Sequence, residues 1–95
     1  MNLTALFTDD KPVQLKKLFS TTEGNVNSLR ILAGNQRKEH ITKAPALLVC
    51  VTGEVIFNNE KGMISPLKSG DYVEIEPMVK HWVDAQKDSH LLLIK

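Results

Sequence analysis

The chain has one cysteine, Cys50, among its 95 residues. An internal disulfide is therefore excluded. A reduced, cytoplasmic setting is the expectation that follows. Charge of one sign is also missing: 12 basic side chains face 11 acidic ones, for a net +1. No basic block stands out, so a nucleic-acid surface is not expected. No apolar run reaches the length that crosses a bilayer, so no membrane partner is expected. No basic-then-apolar leader opens the chain, and Asp9 and Asp10 arrive early. There is no phosphate-binding loop or dinucleotide fingerprint. Serines and histidines occur, but no spacing sets a nucleophile beside a base. Internal repeats, low-complexity linkers and a convincing long helix are absent as well.

What is present is an ordinary globular composition, 42% hydrophobic and 24% charged. The length fits one domain. Residues 1–12 read as an N-terminal extension and 13–95 as the folded domain. Asn2 is placed to cap a helical turn through Leu3, Leu6 and Phe7. Val13 to Ser20 carries both helical and alternating spacing, and strand is the preferred reading. Val26 to Leu32 reads as a strand. Gly34 to His40 leads through a turn into a short one. Ala46 to Val51, ALLVCV, is apolar on both faces, as in a strand covered from both sides. Glu54 to Phe57 follows the Thr52-Gly53 turn, and Asn58 to Gly62 reads as a hairpin loop. Met63 to Leu67 contains Pro66, which marks an edge or a bulge. Tyr72 to Glu76, His81 to Ala85 and His90 to Lys95 complete about eight short strands. Such a series points to an all-β antiparallel sandwich or barrel.

Two stretches hold the residues with chemistry. Strand alternation puts His40, Thr42 and Ala46 on one face, and parity carries that face to Leu48 and Cys50. His81 and Val83 alternate in the same way later in the chain. In the first stretch the frame is Gly34, His40, Thr42, Ala46 and Gly53; in the second it is Gly70-Asp71, Pro77 and His81. In this frame the chain resembles the cupin superfamily, in its small single-domain form, over roughly Leu29 to Lys95. The resemblance implies a small double-stranded β-helix, or jelly-roll barrel, with an open mouth for a small molecule. It also implies a divalent metal held by two histidines and a carboxylate of the first motif and one histidine of the second. Here Thr42 and Ala46 stand at two of those positions, and no glycine precedes His81.

The expected inward set is His40, Thr42, Leu48, Cys50, His81 and Val83. Two histidines inside a small barrel also fit a plain structural role, bonded to each other, to Thr42 or to water. A metal site would use His40 and His81 with Cys50, Glu39 or water as third ligand, around Fe²⁺, Zn²⁺, Mn²⁺ or Ni²⁺. Period-2 alternation aims Glu39 away from His40 unless a bulge intervenes. Three functions remain open. The first is a small-molecule-binding or sensory module with a degenerate metal site. The second is a metal-dependent enzyme of oxygenase or isomerase type, as the resemblance implies. The third is a structural or partner-binding domain; the chain has no room for a helix-turn-helix of its own. Val49 and Val51, together with Trp82, are expected on a second buried face covered by another copy in a homodimer. His90 reads as a surface or interface residue. Tyr72 and Trp82 read as packing aromatics, and Glu74 and Glu76 as a solvated face.

Overall fold

A computed structural model describes all residues, Met1 to Lys95. A single 3-10 turn, Thr4–Leu6, precedes nine strands. These are β1 (Val13–Ser20), β2 (Asn25–Ile31), β3 (Gln36–His40), β4 (Ala46–Thr52), β5 (Glu54–Asn59), β6 (Ile64–Lys68), β7 (Tyr72–Ile75), β8 (His81–Ala85) and β9 (Ser89–Ile94). They form a five-stranded sheet, β1-β2-β9-β4-β7, and a four-stranded sheet, β3-β8-β5-β6. Every neighbouring pair is antiparallel. No helix is long and apolar enough to cross a membrane.

The core lies between the sheets because strand side chains alternate. Ala46, Leu48 and Cys50 of β4 point in, as do Val73 and Ile75 of β7 and Leu91 and Leu93 of β9. The facing sheet supplies Val55, Phe57, Leu67, Val83 and Ala85. Phe57 is 1% exposed. Burying a side chain of that size stabilises a fold by about 1.5–3 kcal/mol. The sheet's other face explains the second apolar row of β4: Leu47, Val49 and Val51 point outward and are half-buried. The ambiguous Val13–Ser20 is a strand, paired with β2 along its length with one bulge.

Two local differences have simple causes. Asn58 and Asn59 belong to β5 instead of the hairpin loop, because both pair across to β8, opposite Trp82 and His81. The Asn59 side chain then closes the tighter loop by accepting the Lys61 and Met63 N–H groups at 2.9 and 3.1 Å. Trp82 is not on the face that carries Val49 and Val51. It lies opposite Asn58 on the outer side of the four-stranded sheet, since its neighbours His81 and Val83 face inward. Pro66 sits in β6, an edge strand, where its missing N–H costs no ladder bond.

The N-terminal segment is packed down. The Asn2 carboxamide oxygen accepts the Thr4 N–H at 2.9 Å, and the turn delivers Phe7 to the outer face of the five-stranded sheet. Phe7 lies 5.7 Å from the His90 ring, with the Arg30 guanidinium 5.2 Å over it. The barrel has two distinct ends. At one, Gly53 at φ +92 turns β4 into β5, tight against Ser89 and Asp88. A Cβ there would collide with the Ser89 hydroxyl and the Asp88 carbonyl oxygen, so the turn requires glycine. At the other end lie Asn59, His81, His40 and Thr42.

Candidate functional site

The register of β3 against β8 builds the site. Gln36 faces Asp84 and Arg37 faces Val83, but His40 faces His81. Three steps along β3 (37 to 40) therefore match two along β8 (83 to 81), which is one bulged residue. The bulge changes the parity of β3. Without it, His40 would share its face with Lys38 and Gln36. With it, Arg37 and His40 both lie opposite inward-facing residues, Val83 and His81.

His81 is 5% exposed. Its ring stacks on Phe57 at 5.7 Å, and its Nδ1 faces the Val79 carbonyl oxygen at 3.5 Å. Burial pushes its pKa below the usual imidazole value. The Val79 carbonyl works against that shift, while the neighbouring His40 and the positive charges of Arg37 and Lys95 reinforce it. His40 stays exposed. Its Nδ1 donates to the Lys38 carbonyl oxygen at 2.6 Å, which leaves Nε2 as the acceptor nitrogen of the neutral ring. The two rings are 6.5 Å apart and inclined by 38°. Thr42 is buried, and its hydroxyl oxygen has no hydrogen-bond partner. Its carbonyl accepts the Met78 N–H at 2.8 Å. That bond ties the β3–β4 connection to the turn before His81. Met78 holds that turn at φ +64, a left-handed conformation that glycine adopts more readily.

The remaining expected residues lie elsewhere. Leu48 and Val83 are packed in the core. Cys50 is buried at the opposite end, its thiol 3.6 and 3.8 Å from the Thr52 and Gly53 carbonyl oxygens. Burial, with Asp71 and Glu54 nearby, pushes that thiol's pKa up, away from the thiolate that would bind a metal. None of Thr42, Leu48, Cys50, His81 and Val83 lines a larger surface concavity. His40 is the exposed member of the set. His40 borders a shallow concavity of about 140 Å³ with Glu39, Ile41 and Lys80. The bulge occurs, yet Glu39 remains at the surface. No three His, Cys, Asp or Glu side chains gather at any point. A Zn²⁺ or non-haem Fe²⁺ centre takes at least three such ligands. Two imidazoles, with Thr42 and Ala46 standing at the other two motif positions, do not supply one.

Arg37 is the residue that sequence reasoning misses. It is half-buried, burial lowers its pKa, and it enters neither of the two ion pairs, Lys61–Glu76 and Lys87–Glu54. Simple alternation counted back from His40 sends Arg37 outward, and only the bulge reverses it. His90, half-buried on the outer sheet face beneath Phe7, has its pKa lowered by burial and by Arg30. Tyr72 is exposed, Glu74 is exposed, and Glu76 pairs with Lys61 at 2.8 Å.

No protein-family model matches the chain, and no curated protein matches it. Solved structures do. A cupin superfamily protein from Desulfitobacterium hafniense superposes with a TM-score of 0.85 at 13% identity, over 98% of this chain and 84% of that one. An RmlC-like cupin from Desulfovibrio desulfuricans gives 0.80 at 19% identity, over 90% and 83%. An RmlC-like cupin with a double-stranded β-helix fold from Methanocaldococcus jannaschii gives 0.78 at 21% identity, over 94% and 84%. At such identities the likeness is one of backbone architecture, and with the two antiparallel sheets it identifies the fold of this chain as the cupin-type double-stranded β-helix.

Proposed function

We propose that this protein is a small-molecule-binding or sensory module of cupin type, and not a metal-dependent oxygenase or isomerase. His40 and His81 act as its polar anchors at one end of the barrel. The observation that carries the reading is the donor set: two paired imidazoles with no third metal-binding side chain beside them. A neutral imidazole both donates and accepts a hydrogen bond, which suits recognition of a polar organic group. The buried, unpartnered Thr42 hydroxyl supports the same reading, since a bound molecule would satisfy it.

The test is metal uptake. Protein purified without chelating resin is exposed to Fe²⁺, Zn²⁺, Mn²⁺ and Ni²⁺ in turn, and bound metal is measured by mass spectrometry beside the His81→Gln variant. The expected result is no stoichiometric uptake by either protein. Near-stoichiometric metal that disappears in His81→Gln would overturn the reading and restore the enzyme.

We also infer a homodimer through the outer face of the five-stranded sheet. Leu47, Val49, Val51 and Leu92 are half-buried there, and Tyr72 and Ile94 beside them are exposed. A second copy laid on this face would remove that apolar row from water.

A further inference from the structure

We propose that the ligand of this site is a small oxyanion-bearing molecule, a carboxylate or phosphate, held by Arg37 with His40, His81 and Thr42. The inference rests on the small-molecule reading above and gives its ligand a chemical class.

Three independent observations support it. Arg37 lies on the inward face of β3, half-buried, and makes no ion pair and no side-chain hydrogen bond. Arg37 on β3 and Lys95 just beyond β9 bring positive charge toward His81, and His40 beside it carries no negative charge. The other elements against it add no charge, since β5 presents Phe57 and the preceding turn presents Val79. No carboxylate pairs with Arg37. Glu60 accepts the Lys80 N–H, and Glu39, exposed, shares the small surface concavity of His40, Ile41 and Lys80 without an ion pair to Arg37. Thr42, 6% exposed, has a hydroxyl with no partner.

A guanidinium offers only donors, and a hydroxyl can donate. Within the protein the Arg37 guanidinium has no side-chain acceptor and the buried Thr42 hydroxyl has no partner. Removing a guanidinium from water without a partner is unfavourable, so an incoming acceptor finds it already partly desolvated. Carboxylate and phosphate oxygens accept only, and the planar guanidinium fork matches both. A bound anion also favours protonated imidazole, so affinity should rise as pH falls through the histidine range.

The experiment is an NMR titration of the full chain, following the His40 and His81 ring resonances. Inorganic phosphate and malonate are added at constant ionic strength, with chloride as the ionic control and glucose as a neutral probe. A saturable shift with phosphate or malonate but not with chloride is expected. Which of the two binds more tightly distinguishes a phosphate ligand from a carboxylate one. Arg37→Gln should raise the Kd at least tenfold and Arg37→Lys less. Linear shifts equal to those of chloride would overturn the proposal, as would an Arg37→Gln variant with unchanged Kd. Saturation by glucose alone would also overturn it while leaving the small-molecule reading intact. Stoichiometric Zn²⁺ binding at the two histidines would remove both. The wild-type titration decides the matter even if Arg37→Gln fails to fold.

Discussion

His81 is stacked on Phe57 with almost no exposed surface, and its imidazole is held below the usual pKa. Folding therefore favours the neutral ring. In the unfolded chain the same ring titrates near about 6.5. As pH falls below that value, the unfolded state takes up a proton before the folded state does, so stability drops. Its contribution is complete above the unfolded pKa and disappears as pH passes down through the folded one. Urea midpoints measured between pH 5 and 8 should fall on the acid side in the wild type. The slope should be shallower in His81→Gln, with a remainder from His90, which is shifted the same way. An unchanged slope in that variant would contradict this account of His81.

At the scale of the element, the β7–β8 turn aims His81. Met78 adopts φ +64 there, and its N–H is fixed to the Thr42 carbonyl. A left-handed conformation strains a residue with a Cβ, and glycine relieves it at some cost in unfolded-chain entropy. Met78 is exposed, so its side chain contributes little packing. Met78→Gly is expected to stabilise the protein by about 0.5–1 kcal/mol. Thermal and urea denaturation would show it, and a loss of stability would mean that the Met78 side chain packs more than its exposure indicates. The β3 bulge is the other decisive element. One extra residue turns Arg37 inward while keeping His40 opposite His81.

The whole molecule leaves the outer face of its larger sheet unevenly covered. Phe7 and the N-terminal turn lie over the β1, β2 and β9 side, on Lys16, Arg30 and His90. The β4 and β7 side keeps Val49 and Tyr72 paired side by side with Tyr72 exposed. The inferred dimer covers that side. Light scattering should give twice the mass of one chain, and Tyr72→Lys should move the population toward monomer without unfolding it. A wild type that stays monomeric at high micromolar concentration would dismiss the dimer. Stable pairs bury about 800 Å² on each partner, a reasonable demand on one sheet face.

Strand alternation is a local property, so the sequence by itself determined most of the architecture. The ALLVCV row of β4, Val73 and Ile75 of β7, and the glycine turns follow from pleat geometry and from the left-handed φ of Gly53, Gly62 and Gly70. The positions of His40 and His81 in their strands were legible for the same reason. Tertiary structure alone decided what those residues can do. A bulge is set by pairing between strands, so the inward turn of Arg37 had no local signal. Trp82 belongs to the other sheet, which parity within one strand cannot reveal. Cys50 shares a face with the site but sits at the far end, because alternation fixes a face and not a height along the barrel. Whether a buried charge has a partner is a sum over elements distant in sequence, and only the fold performs it.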